Sequence, residues 1–203
     1  MKKNKISKNW INRQRRDIYV RKSKIEGYRS RAVYKLEEIN KKFKIFHNGV
    51  SVLDLGAAPG SWSQYISKNY KNIKLASIDL KKFDDVENTF QITGDFTEDI
   101  YKQKILNFFQ DRIDIIISDM AVNTTGNKNL DSIQTSELCL NAMRFSKEVL
   151  KKNGIFVSKI FVGSTFNEII DESKKIFKKN KVFKPSASRK ESKESFIVCS
   201  MLR

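Results

Sequence analysis

The 203-residue sequence predicts a single α/β domain built on an open, mostly parallel, Rossmann-like sheet with helices on both faces. Three observations carry that prediction. From residue 50 onward, short apolar runs of strand length alternate with longer segments of helical periodicity, the order that generates βαβ units. The first apolar run is followed at once by a turn of small residues, Gly56-Ala57-Ala58-Pro59-Gly60, that opens a helix. The last two apolar runs read as a terminal hairpin, which makes the final strand antiparallel and brings the count to seven.

Before the first strand, residues 30–42 read as a helix with Ala32, Val33, Leu36 and Ile39 on one face. Strands follow at 50–55, 75–80, 90–93, 113–118 and 154–160, with the hairpin at 181–183 and 196–201. Between them, residues 61–69, 97–110, 131–152 and 164–177 carry the helical patterns. There is no internal repeat and no low-complexity linker. The whole chain is read as one domain, with residues 1–28 as a basic N-terminal extension.

Composition sets the class of partner. The chain is 39% hydrophobic and 31% charged, which suits a domain with a real core, and it carries a net charge of +17. The placement of that charge says more than its size. Residues 1–24 hold ten Lys/Arg against Asp17 alone, and residues 174–193 hold nine against Glu191 alone, leaving 21 basic and 21 acidic residues elsewhere. Two surfaces built to face a polyanion would look like this. Cys139, Cys199 and His47 are the only cysteines and the only histidine, too few for a structural zinc or a disulfide framework. Both cysteines read as small core residues in a reducing compartment. With no run of 18 apolar residues and no apolar signal segment, the protein is expected to be soluble and intracellular. An acid-poor basic N-terminus also fits a transit signal, so cytoplasm and organelle matrix both stay open.

The chemistry starts at the small-residue turn. Gly56 and Gly60 let backbone approach a ligand closely. The turn lacks the G-x-G-x-x-G pattern, and Pro59 removes a donor where a dinucleotide pyrophosphate would need one, so a nucleoside without phosphates fits better than a nicotinamide cofactor. Asp79 ends the second strand 23 residues after Gly56, where a carboxylate can hold ribose hydroxyls or cap a helix. Asp95, in Thr93-Gly94-Asp95-Phe96, can accept from an adenine amine or cap the helix that follows. Asp119 leaves the fourth strand and Lys159 sits among apolar residues of the fifth. A lysine there costs free energy unless it is paired or functional. Ligands of open sheets bind beyond the carboxyl ends of the strands, so these groups should converge.

Four stretches carry a resemblance to a known family: Arg29-Ser30-Arg31-Ala32-Val33-Tyr34-Lys35-Leu36, Asp54 to Tyr65, Ser118-Asp119-Met120-Ala121-Val122-Asn123, and Ser192-Lys193-Glu194-Ser195-Phe196-Ile197-Val198. The chain resembles the FtsJ/RrmJ family of ribosomal RNA (uridine-2′-O-)-methyltransferases, over roughly residues 10–201. The resemblance implies the S-adenosylmethionine-dependent methyltransferase fold and S-adenosylmethionine as cofactor. It implies a catalytic Lys35-Asp119-Lys159-Glu194 tetrad and a cofactor site at Gly56, Gly60, Trp62, Asp79, Asp95 and Asp119. It further implies large-subunit ribosomal RNA as partner, with no metal and no membrane, and action as a monomer. Lys35 and Glu194 rest on the resemblance, since each lies in a charged, surface-like segment. Ser61 stands where bacterial members have a second Gly, and Val122 where they have Pro; both neighbour the tetrad and bear on substrate fit. In this reading Lys159 is the base, which it can be only once its ammonium, ordinarily titrating near about 10.4, gives up a proton. Arg13, Arg15, Arg16, Arg29, Arg31, Arg189, Lys190 and Lys193 are the expected RNA contacts. A tRNA ribose 2′-O-methyltransferase of the same family, an mRNA cap enzyme and a noncatalytic RNA-binding ribosome assembly factor are the alternatives. The short chain, without an added domain, favours ribosomal RNA, and the intact tetrad argues against the assembly factor.

Overall fold

A computed structural model describes residues 16–122 and 128–203. Along these residues run α1 Ile18–Ile25, α2 Val33–Phe43, β1 Ser51–Leu55, α3 Ser61–Asn69, β2 Lys74–Asp79, β3 Thr89–Thr93, α4 Asp99–Phe109, β4 Ile113–Ser118, α5 Lys128–Val149, β5 Leu150–Phe161, α6 Phe166–Ile176, β6 Phe177–Phe183 and β7 Glu194–Leu202. The strands form one sheet in the order β3-β2-β1-β4-β5-β7-β6. The pairs from β3 to β5 are parallel, and β7 is antiparallel to both neighbours. Strand order therefore reverses between β1 and β4, which opens a crevice at their carboxyl ends.

Strand alternation sorts the core into two layers. Ile116, Phe156, Ile160, Ile197 and Cys199 pack with α4, α5 and α6 residues such as Ile105, Met143 and Ile169. Their strand neighbours Ile115, Ile117, Val157, Phe196 and Val198 pack on the other face against Leu36 and Ile39 of α2 and Trp62 and Ile66 of α3. Both cysteines are buried and unpaired, and burial pushes the Cys139 thiol up to about 12. Among the described residues, no helix is long and apolar enough to cross a membrane.

Three elements differ from the sequence reading. The helix expected over 131–152 ends at Val149, because Leu150 pairs with Ile113 and starts a 12-residue strand. Strand β6 begins at Phe177 rather than 181. Both of its faces are largely solvated, with consecutive residues Lys178 and Lys179 and again Lys181 and Val182 exposed, so the apolar alternation that would mark a strand is missing. The basic extension contains α1, capped by the Asp17 carboxylate, which accepts the Tyr19 and Val20 N–H groups. Asp17 also pairs with Arg31 at 2.7 Å and Arg189 at 3.5 Å, and the Tyr19 and Tyr34 rings pack tilted at 5.4 Å between centroids. This helix is thus tied to α2 and to the segment before β7.

Asp17→Ala removes the cap and both ion pairs. The variant should lose about 1–2 kcal/mol, seen as a melting midpoint lower by about 2–8 °C in thermal denaturation.

Candidate active site

Four charged side chains meet at the carboxyl ends of β4 and β5, and the alternation of the strands explains why. Asp119 continues the parity of Ile115 and Ile117, Lys159 that of Val157, and Glu194 that of Phe196 and Val198. All of those apolar residues face α2, so the three polar side chains do too. Register then sets their spacing: Ser118 pairs with Ser158, so Asp119 and Lys159 follow side by side, and Glu194 lies opposite Phe161. From the buried side of α2, Lys35 reaches into the group.

The Lys35 ammonium donates to Glu194 at 2.9 Å and to Asp119 at 3.4 Å. Lys159 donates to the Asp119 backbone carbonyl at 2.5 Å and lies 3.1 Å from its Oδ1. Two cations and two carboxylates thus balance in a site where Lys159 is only 6% exposed. Burial works to lower the Lys35 pKa, yet Asp119 and Glu194 outweigh it and the ammonium is held above its ordinary value. Burial likewise opposes ionisation of Asp119, but Lys159 and Lys35 prevail and its carboxyl stays below the usual range. The sequence-derived tetrad therefore lies within one set of contacts.

A cleft of about 490 Å³ opens beside these charges, lined among others by Gly56, Asp79, Asp95, Asp119 and Met120. That volume lies within the range of small-molecule sites. Gly56 has φ +72°, and a Cβ there would overlap the Met120 side chain, so glycine keeps the cleft open. Asp79 accepts the Ala58 N–H at 2.9 Å and the Lys81 N–H at 2.8 Å. One carboxylate thereby braces the loop after β1 and the loop after β2 while itself lining the cleft. Asp95 accepts from the Thr97 backbone N–H and hydroxyl, a turn role that leaves it in the cleft wall. Buried Asp119 Oδ1 accepts no hydrogen bond among the described residues; its 3.1 Å contact with Lys159 is an ion pair. An acceptor left in this state suits a cationic or hydrogen-bonding ligand, and the acidic lining fits a ribose and an amine better than a phosphate.

Two further residues expected at the cofactor also carry structural contacts. The Trp62 ring packs in the core 5.8 Å from Phe196 and donates its N–H to the Ala32 carbonyl. It borders a smaller cavity shared with Asp54 and Asp119. Gly60, at φ +95°, starts α3 in a left-handed conformation, and its Cα faces Arg29, Phe83 and Val86.

Sequence reasoning missed several supporting residues. Ser188 donates to Glu194 at 2.7 Å and fixes the carboxylate that holds Lys35. Glu38 on α2 accepts the Ser186 and Ala187 N–H groups and pins that loop. Arg29 donates to the Pro59, Asp84 and Asp85 carbonyls, bridging the small-residue turn to the loop after β2. Arg31, besides Asp17, donates to the Ala187 carbonyl. The arginines expected to face RNA thus include two whose guanidiniums already brace the site. Arg16, Lys190 and Lys193 are exposed, Arg189 is half-buried, and Arg13 and Arg15 lie outside the described residues. Asp54 is also new. Buried below the turn and accepting from Ser63 at 2.7 Å, its carboxyl is pushed up to about 7 by burial.

Comparison with known proteins adds independent findings. A family model described as FtsJ-like methyltransferase matches residues 28–201. The chain is 63% identical over 203 residues, all of both chains, to the ribosomal RNA large subunit methyltransferase E of Pelagibacter ubique (strain HTCC1062). It is 46% identical over 198 residues, 95% of this chain and 87% of the relative, to the protein of that name in Rickettsia akari (strain Hartford). A crystal structure assigned to a ribosomal RNA methyltransferase from Plasmodium falciparum superposes with a TM-score of 0.77 at 34% identity, covering 86% of this chain and 98% of that one. Human Methyltransferase-like protein 13, solved in complex with SAH, shares the fold at a TM-score of 0.57 and 12% identity over 84% of this chain and 79% of that one.

The Asp54 carboxyl ionises at 3.8 in an ordinary setting but holds its proton to about 7 in the folded protein. Between those values the folded state binds the extra proton, so stability falls as pH rises from about 4 to 7, by about 4 kcal/mol in all. Chemical denaturation should show that decline in the wild type and its absence from Asp54→Asn.

Proposed function

The chain belongs to the FtsJ-like methyltransferase family, and on that premise we propose that it transfers a methyl group from S-adenosylmethionine to a ribose 2′-hydroxyl, a uridine's by the family resemblance, of large-subunit ribosomal RNA. The observation that carries this reading is the contact set joining Lys35, Asp119, Lys159 and Glu194 next to the acidic cleft. The names of the 63% and 46% identical relatives support the substrate.

S-adenosylmethionine supplies a sulfonium methyl as the electrophile. Gly56, Gly60, Trp62, Asp79, Asp95 and Asp119 are the residues that would hold it, Asp79 at the ribose and Asp119 near the cationic end. The protein's own task is to present the 2′-hydroxyl in line and to remove its proton. Lys159, tethered through the Asp119 carbonyl and carboxylate, takes that proton from its neutral form. Asp119 holds Lys159 in place. Lys35 and Glu194, paired to each other, position the ribose and keep the site's charge balanced. Orientation of this kind accounts for several kcal/mol of barrier reduction. On the RNA side, Arg13, Arg15, Arg16, Lys190 and Lys193 contact phosphates, with Arg29, Arg31 and Arg189 shaping the same face. Six to ten such contacts imply an affinity loss of about three to five decades between 50 and 200 mM salt.

Lys159→Ala should bind S-adenosylmethionine and RNA normally and methylate on the order of 10²–10⁴-fold more slowly in single turnover; near wild-type turnover would remove the base assignment. Arg29→Ala should behave differently. Freed from the Pro59, Asp84 and Asp85 carbonyls, the loops should bind cofactor about tenfold more weakly, about 1.4 kcal/mol, by calorimetry, with turnover at saturating cofactor largely retained.

A further inference from the structure

We propose that a basic cleft at the sheet edge opposite the active site is a second contact surface for the phosphate backbone of the RNA substrate, reached along strand β6. This rests on the RNA methyltransferase reading above.

The cleft, about 470 Å³, is lined by Arg112, Lys147, Lys152, Lys175, Ile176, Leu202 and Arg203. Five of those seven residues are cationic and none is acidic. They come from the start of β4, the ends of α5 and α6, the start of β5 and the end of β7, so the cleft sits at the amino edge of the parallel strands. Strand β7 joins the two sites: Glu194 begins it at the active site and Leu202 closes it at the cleft, roughly 25 Å away at the rise of an extended strand.

The cations are arranged for an external anion. Arg112 donates to the Leu150 carbonyl and Arg203 to the Lys174 carbonyl, which fixes each guanidinium and leaves its other N–H groups available. Lys175 has Glu172 at 3.2 Å. Lys151, just beside the cleft, is neutralised by Asp114 at 2.9 Å. Lys147 and Lys152 have no carboxylate within 4.0 Å among the described residues. Helix ends attract one or two cations each, which accounts for Lys147 and Lys175 but not for Arg112, Lys152 and Arg203 converging on the same space. Like charges held this close repel one another unless an anion joins them.

The lining also selects the kind of anion. Its floor is Ile176 and Leu202, with no aromatic ring to stack a base and no acidic side chain to read one. Such a surface contacts phosphates without sequence preference. The route to it is basic as well. Lys178, Lys179 and Lys181 are exposed along edge strand β6, which runs antiparallel to β7 from Phe177 at the cleft to Phe183 at the active-site end. Lys184, Lys190 and Lys193 continue from there. The basic stretch over 174–193 is therefore a band along the edge of the molecule, with the tetrad at one end and the cleft at the other. A structured RNA following that band would be held at two points while its reactive ribose enters the active site.

The test uses the triple variant Lys147→Ala/Lys152→Ala/Lys175→Ala, which keeps both carbonyl-bound arginines, with its melting midpoint compared to wild type. Affinity is measured against salt for two RNAs, the intact large ribosomal subunit and a short stem-loop confined to the methylated region. The proposal expects the variant to bind the subunit on the order of tenfold to a hundredfold more weakly at 0.1 M salt, with a salt slope shallower by about two to three. Stem-loop methylation and S-adenosylmethionine binding should match wild type. Unchanged subunit affinity and slope in the folded variant would overturn the proposal. So would protection of wild type by inorganic phosphate through these lysines with subunit binding intact, which marks a small-anion site. Failure of wild type to methylate either RNA would instead strike the proposed function itself.

Discussion

The arrangement depends on one electrostatic constraint: Lys35, Asp119, Lys159 and Glu194 must share a site too buried for any of them to stand alone. Removing an ion pair from water is costly, and losing one partner from a buried pair is costlier still, since it strands the other charge. Here each carboxylate serves a lysine and Asp119 serves two, so the four charges form one unit. The supporting polar contacts follow from that. Ser188 satisfies Glu194, the Asp119 carbonyl satisfies Lys159, and Glu38 anchors the loop carrying Ser188. Asp119 Oδ1 is left with only its ion pair to Lys159.

Backbone geometry makes the unit achievable. A strand presents alternate residues to opposite faces, so Asp119, Lys159 and Glu194 reach one face because each lies two residues from an apolar neighbour that already packs there. The reversal of strand order between β1 and β4 then places the small-residue turn beside them. Asp79 and Arg29 lock that turn from below and above, one through N–H groups and the other through carbonyls. Helix α1 and Arg31 extend the bracing to the segment before β7, so Arg29 and Arg31, two of the residues expected to attract RNA, also brace the loops around the site.

Much of this was legible in the sequence. Apolar periodicity located all seven strands, and the turn after β1, Asp79 and Asp119 pointed to a nucleoside site without any knowledge of relatives. Lys159 was conspicuous as a charge among apolar residues. Lys35 and Glu194 were not, because their surroundings in sequence are polar and only tertiary contact buries them; the family resemblance was needed. Strand β6 was read short because both of its faces are largely solvated and it shows no apolar alternation, and the Leu150 boundary was missed because a pairing with Ile113 overrode helical periodicity. Charge counting found the excess in residues 174–193 but could not show that it runs from one end of the sheet to the other. Nor could it find the cleft of Arg112, Lys147, Lys152, Lys175 and Arg203, which are dispersed in sequence and cluster only in space.

The proposed reaction methylates a ribose oxygen rather than a base. Alkaline cleavage of RNA requires a free 2′-hydroxyl as nucleophile, so a ribose methyl group protects the adjoining phosphodiester. Large-subunit RNA methylated by this protein with radiolabelled S-adenosylmethionine and then hydrolysed in alkali should release its label in a resistant dinucleotide. Recovery of the label in mononucleotides would place the methyl on a base and contradict the account.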